Sequence, residues 1–109
     1  MESKHQELKR YLEERIDILK KAEEIFSALG NMNRMKILYL LMNEPMCVSG
    51  ISSVLELSQP LVSQQLRILR HLNLVKGVRD GRKIVYSIAD RHIVEAMKNI
   101  QEYLEEKSS

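Results

Sequence analysis

Four side chains able to hydrogen-bond to the edges of DNA bases lie between positions 59 and 67. They are Gln59, Ser63, Gln64 and Arg67. In the major groove glutamine can bond adenine through both amide atoms, arginine can bond guanine, and serine can bond a base or a phosphate. Arg70 and His71 follow on the same segment, and we expect them to reach the phosphate backbone. The pattern fits contact with duplex DNA, but taken alone it fits a solvated polar helix face better.

Positive charge is concentrated around the same segment. Residues 58–83 hold six Lys or Arg against the single acid Asp80, although the whole chain carries only +2. Residues 27–57 are balanced, and residues 84–109 are acidic. A concentrated cationic surface is what contact with a phosphate backbone requires. Charge alone would also allow an ordinary solvated surface.

The composition is that of one soluble globular domain spanning residues 1–109. The chain is 44% hydrophobic and 29% charged, which is ordinary for a folded protein. No apolar stretch approaches the roughly 20 residues needed to cross a bilayer, and the polar N-terminus lacks the apolar centre of a secretory signal. The single cysteine, Cys47, cannot form an intrachain disulfide and is expected to be a small buried hydrophobe. We expect a cytoplasmic protein without a membrane partner.

Apolar periodicity predicts the helices. A helix is expected over residues 6–29 and another over 33–42, each with apolar side chains at helical spacing. Ser49 is a candidate N-cap for a short third helix. Ser58 is a candidate cap for the next helix, to about position 72, with Pro60 in its first turn. Two helices joined by a tight turn near Leu57 predict a helix-turn-helix.

A β-hairpin is predicted directly after that pair. Residues 74–79 and 83–88 alternate and are rich in β-branched side chains, and Asp80-Gly81 between them is a strong hairpin signal. Arg79, Arg82 and Lys83 crowd its tip, where they could contact the minor groove or flanking phosphates. A last helix is expected over 91–106. The expected fold is mainly α with a small β-hairpin, a winged helix-turn-helix.

Several stretches together resemble the ArsR/SmtB repressors over roughly residues 20 to 106. They are Ala28-Leu29-Gly30 with Arg34 and Ile37-Leu38, the run from Ser58 to Leu69, Leu74-Val75, Arg79-Asp80-Gly81-Arg82 and Tyr86-Ser87. The resemblance implies a winged helix homodimer that represses an adjacent operon from a palindromic operator and is released by a metal ion or another signal. It also implies a dimer interface built from the first and last helices. The apolar residues expected there are Leu8, Leu12, Ile93, Met97, Ile100 and Leu104.

The same resemblance raises a metal site on the last helix. Relatives that sense zinc carry a four-ligand pattern, to which this chain supplies Asp90, His92 and Glu106, with Tyr103 at the fourth position. Tyrosine is protonated near neutral pH, so the site is altered, although three ligands and a water could still hold a divalent metal such as zinc. Alternatively, Asp90 caps the helix and Tyr103 packs at the dimer seam. The family's second site uses Cys-Val-Cys, and this chain has Cys47-Val48-Ser49.

Three other function classes are less well supported. A winged helix serving only as a protein-interaction module would need an apolar outer face on the helix from Pro60, and that face is polar. An enzyme would need a phosphate-binding glycine-rich loop or a nucleophile motif, and the sequence contains neither, so no substrate is expected. RNA binding would favour aromatic side chains on the strands for base stacking.

Overall fold

The computed structural model describes residues 3–108 as six helices and a three-stranded antiparallel sheet. The helices and strands follow one another as predicted, apart from one break and one extra strand. Their bounds are α1 Lys4–Glu13, α2 Ile16–Leu29, α3 Met32–Asn43, β1 Met46–Cys47, α4 Val48–Leu55, α5 Gln59–His71, β2 Val75–Asp80, β3 Lys83–Ile88 and α6 Arg91–Ser108.

The prediction of a single helix over residues 6–29 is wrong, because the helix is interrupted between α1 and α2. At the break, the amide of Arg15 donates to the carbonyl of Leu12 at 3.0 Å. The Tyr11 carbonyl, which a continuous helix would pair with that amide, accepts instead from Nη1 of Arg15 at 2.8 Å. The guanidinium also lies 3.6 Å from the centre of the Tyr11 ring. The arginine side chain therefore replaces the backbone bond.

The hydrophobic core is aliphatic and centres on α3, α4 and α5. Its largest fully buried side chains are Ile37, Leu38, Ile51, Val62, Leu66 and Leu69. Burying each such side chain contributes about 1.5–3 kcal/mol of hydrophobic free energy. Met97 of α6 belongs to the same core at 3% exposure. Its prediction as a dimer-interface residue is therefore corrected, because it has almost no surface to offer a partner.

The helix-turn-helix forms from α4 and α5. The first helix begins at Val48, with Cys47 rather than the predicted Ser49 at the N-cap position. Glu56 then adopts a left-handed conformation at φ 56°, which ends α4 and turns the chain within three residues. The Ser58 hydroxyl accepts from the amide of Leu61 at 3.2 Å, as expected of the N-cap of α5.

The wing is the β2–β3 hairpin, with Asp80 paired to Lys83 and Val75 to Ile88. The predicted turn was one residue too early, since Gly81 and Arg82 form the two-residue loop. Gly81 has φ +64°, and a glycine with positive φ at the first loop position is typical of a type II′ hairpin turn. Strand β1 was not predicted. It pairs Met46 and Cys47 with Tyr86 and Val85, and so joins the wing to the start of α4.

Candidate nucleic-acid interface

Helix α5 has one face in the core and one face in solvent. Val62, Leu66 and Leu69 anchor the inner face. The predicted DNA-contacting side chains lie on the rest of the helix, with Ser63 half-buried and the others exposed. The exposed ones are Gln59, Gln64, Arg67, Arg70 and His71. The core contacts of α5 therefore turn these predicted polar side chains away from the core.

The wing brings its basic tip to the beginning of α5. A cleft of about 370 Å³ is lined by Gln59 and Ser63 of α5, by Arg82 and Lys83 of the wing, and by Ser49 of α4. Arg79 is also exposed near the tip of the wing. Two members of each predicted group of DNA-contacting residues, separate in sequence, thus share one surface. We name the cleft and its lining residues the wing cleft.

The second half of α5 faces a different groove. Arg67 and His71 line a depression of about 700 Å³ together with Arg34 and with Glu23 and Glu24 of α2. The structure therefore does not bring Arg67 and His71 into the wing cleft. Their neighbours there include two carboxylates, which would oppose a phosphate at the same place.

Cys47 lies at the wing cleft and is only half-buried, so the expectation of a fully buried thiol was wrong. Its Sγ lies 3.2 Å from the hydroxyl of Ser49. That hydrogen bond, followed by one from Gly50, lowers the pKa of the Cys47 thiol below its ordinary value. The misprediction arose because the position of Cys47, at the end of a two-residue strand and directly before a helix, has no sequence signature.

The Asp90–His92 pair caps the beginning of α6. One carboxylate oxygen of Asp90 accepts from the amide of His92 at 2.8 Å and lies 2.6 Å from its Nδ1. Glu106 lies fourteen positions after His92 on the same helix, which corresponds to about 21 Å at a rise of about 1.5 Å per residue. Within residues 3–108, no three His, Cys, Asp or Glu side chains come together as a metal-binding group.

The donor chemistry of Asp90 and His92 suits zinc, but the part of one chain that the structure describes supplies only these two ligands at one place. Tyr103, which is 59% exposed, holds the position of the missing histidine, and the ammonium of Lys107 lies 5.7 Å from its ring centre. Metal binding therefore stays a prediction that needs residues of a second chain. Helix capping accounts for the contacts of Asp90 within one chain.

We expect Asp90→Asn to lower the pKa of His92 towards its ordinary value of 6.5. The side-chain bond to Asp90 raises the pKa of His92, and the bonds from His92, the backbone one first, lower the pKa of Asp90 below 3.8. The imidazolium therefore stabilises the fold below pH 6.5 and ceases to do so as the pH rises through its raised pKa. The Asp90 carboxylate stabilises the fold above pH 3.8, and this stabilisation is lost as the pH falls through its lowered pKa.

The measurement is an NMR titration of the His92 ring in the parent and in Asp90→Asn. An unchanged His92 pKa in Asp90→Asn would contradict the capping pair. Repeating the titration with one equivalent of Zn²⁺ tests the metal prediction, since a bound metal displaces the ring proton and lowers the apparent pKa. An apparent pKa that does not respond to Zn²⁺ would remove His92 from the ligand set.

Apolar side chains on α1, α2 and α6 remain in solvent. Of the predicted interface residues, Leu8, Leu12, Ile100 and Leu104 are each 50–56% exposed, whereas Ile93 is half-buried against the core. Phe26 and Ile18 of α2, which were not predicted, are 68% and 67% exposed. So much exposed apolar surface in a small chain indicates an interaction site. None of the helices within residues 3–108 has the length and apolar content needed for a bilayer crossing.

Known proteins share both the sequence and the fold. A family model described as "Bacterial regulatory protein, arsR family" matches residues 31–76. A transcriptional repressor SmtB homolog from Synechocystis is 35% identical over 91 residues, covering 84% of this chain and 69% of that protein. The regulator NmtR from Mycobacterium tuberculosis is 43% identical over 70 residues, covering 64% of this chain and 58% of that protein.

A solved structure gives the same architecture. It is the homodimeric winged helix-turn-helix DNA-binding domain of a possible ArsR-family regulator from Mycobacterium bovis. It superimposes with a TM-score of 0.81 at 25% identity, covering 85% of this chain and 86% of that one. The winged helix-turn-helix fold predicted from sequence is therefore confirmed.

Proposed function

We propose that this chain, which belongs to the arsR family of bacterial regulatory proteins, represses transcription as a homodimer bound to a palindromic duplex operator. The observation that carries the proposal is the wing cleft, where Gln59 and Ser63 of α5 meet Arg82 and Lys83 of the wing. One surface thus holds side chains that can bond base edges beside cations that can bind phosphates. We assign the chain a binding role in the cytoplasm and no enzymatic reaction.

The shape of α5 suits this role. A helix with its side chains is about 10–12 Å across, and the major groove is about 12 Å wide. With α5 in the major groove, the wing would lie along the adjacent phosphates or minor groove.

A protein-interaction module without DNA binding is less well supported. It would need apolar side chains on the outer face of α5, and Ile68, at 36% exposure, is the one large hydrophobic residue exposed on that helix. Most of the exposed large apolar side chains lie instead on α1, α2 and α6, which suits a second copy of the chain. The chemical signal that releases DNA stays a prediction, and Asp90, His92 and Glu106 remain its candidate metal ligands.

Selection from a random duplex library tests the proposal. We expect enrichment of an inverted repeat with half-sites about one helical turn apart, because a twofold dimer places its two recognition helices in successive major grooves. A gel-shift titration of the enriched site would then show two chains per duplex. Recovery of no common sequence, or of a single half-site bound by one chain, would contradict the proposal.

We expect Arg82→Ala to weaken binding to all duplexes alike and to reduce the magnitude of the slope of log affinity against log salt by about 2, because the homodimer loses one phosphate contact from each of its two chains. The measurement is fluorescence anisotropy of operator and random duplexes between low and moderate salt. Lys20→Ala, which removes an exposed cation from α2, is the matched control and should leave the slope unchanged. An unaltered slope in Arg82→Ala would exclude the wing from the phosphate contacts.

A further inference from the structure

Gln65 is a polar side chain that faces the protein interior in the middle of α5. It is 8% exposed and is the one polar residue found with the buried side chains in residues 3–108. Its neighbour Gln64 is exposed. No role was predicted for Gln65, so its inward direction is a result of the structure.

The partner of Gln65 is Arg34 at the start of α3. Oε1 of Gln65 accepts from Nη1 of Arg34 at 2.9 Å, across 31 positions of sequence. The same guanidinium donates through Nε to the carbonyl of Ala28, near the end of α2, at 2.7 Å. The Arg34 amide donates to the side chain of Asn31, the N-cap of α3, at 3.1 Å. Arg34 therefore joins α2, α3 and α5 at one point.

This bond constrains α5 in a way that its apolar contacts do not. The hydrophobic effect favours the burial of Val62, Leu66 and Leu69, but it is non-directional. A hydrogen bond weakens steeply when its angle or distance changes, and a buried glutamine oxygen without a donor is costly. Successive helical residues point about 100° apart, so fixing Gln65 inward fixes the outward directions of Ser63 and Gln64.

We propose that Gln65 and Arg34 form a positioning pair that sets the rotation of α5 about its own axis, and hence the sequence specificity of DNA binding. The inference rests on the proposed function, in which α5 contacts the bases. Neither residue touches DNA in this scheme, because Gln65 is buried and the guanidinium of Arg34 is taken up by its bonds to Gln65 and to the Ala28 carbonyl. The pair also ties the DNA-contacting helix to the end of α2, whose exposed apolar face belongs to the surface proposed for dimerisation.

The test compares Gln65→Met with Gln65→Glu. Methionine has a similar size but no oxygen, whereas glutamate keeps an acceptor for Arg34. The readout is the ratio of affinities for the selected operator and for random duplex at one salt concentration, with circular dichroism confirming that each variant is folded. We expect the ratio to fall about tenfold in Gln65→Met, as for loss of a hydrogen bond to a charged group, and to recover in Gln65→Glu.

A double-mutant cycle assigns the effect to the pair. Arg34→Met should lower the ratio, and adding Gln65→Met to it should lower the ratio no further, because the bond is already absent. Lys36→Met removes an exposed cation from the same helix and should leave the ratio unchanged. If Gln65→Met fails to fold, Arg34→Lys decides the question by the same ratio, since lysine cannot reproduce the two-pronged contact.

A merely structural role would lower the unfolding temperature of Gln65→Met without changing the ratio, and that outcome overturns the positioning role. Failure of the underlying function gives a different result, because the unaltered protein would then show no preference for any duplex. Additive losses in the double-mutant cycle would also overturn the pairing.

Discussion

A Ser63→Ala/Gln64→Ala variant is expected to bind the selected operator at least tenfold more weakly while keeping its affinity for random duplex. Each good base contact discriminates by about 1–3 kcal/mol, which is about fivefold to more than a hundredfold, so the loss of two contacts exceeds tenfold. Both side chains lie on the solvent side of α5, so their loss leaves the core unchanged. The phosphate contacts that dominate non-specific affinity remain in the variant, and the effect is confined to specificity.

The measurement is a pair of competitive titrations, one with operator and one with random duplex as competitor. Gln101→Ala, which shortens an exposed glutamine of α6, is the matched control and should bind both duplexes like the parent. Sedimentation of the double variant should still show the parent's assembly state. If the variant preferred the operator as strongly as the parent does, α5 would not be the element that contacts the bases.

An Ile100→Asp/Leu104→Asp variant is expected to be a folded monomer that binds the operator about a hundredfold or more weakly, because two linked half-site contacts become one. The two side chains are 50% and 56% exposed, so the protomer tolerates a charge there. An apolar dimer interface does not tolerate such a charge, because each carboxylate would lose its hydration without gaining a hydrogen bond or an ion pair. Sedimentation equilibrium and operator titration measure the two effects.

Met97 provides the contrast on the same helix. Met97→Asp places a carboxylate in the core at a site with 3% exposure and should unfold the chain, which circular dichroism would show directly. Lys98→Asp, at an exposed neighbouring position, should preserve both fold and assembly. A variant of Ile100 and Leu104 that still formed dimers would exclude α6 from the interface.

The periodicity of apolar residues predicted most of the fold because it indicates which side chains are buried, and burial of an apolar face stabilises most of these helices. The core positions of α5 are visible in the sequence for this reason, whereas the burial of β3 does not alternate along the strand. The break at Arg15 was not, because it depends on a side chain bonding the Tyr11 carbonyl in place of a backbone amide. The apolar spacing continues unchanged across that break. Strand β1 is too short to show any alternation at all.

The candidate site was predictable in its composition but not in its grouping. Residue types indicated DNA contact for α5 and the wing, yet only the fold shows Gln59 and Ser63 sharing a cleft with Arg82 and Lys83. Met97 and Ile100 are three positions apart on α6. The sequence does not distinguish an apolar side chain that packs in its own core from one that packs against a partner. Gln65 was missed because its donor, Arg34, lies 31 positions away.

Helix α1 has no buried residue, and a helix of ten residues is marginal in water without tertiary contacts. In the proposed homodimer its order would come from a second molecule, so folding of this segment and assembly would be one equilibrium. The number of copies in the cell would then set what fraction of the population is fully ordered. A newly synthesised chain at low concentration would not assemble and would not bind the operator. Repression in this scheme would begin only once the protein exceeds a threshold concentration.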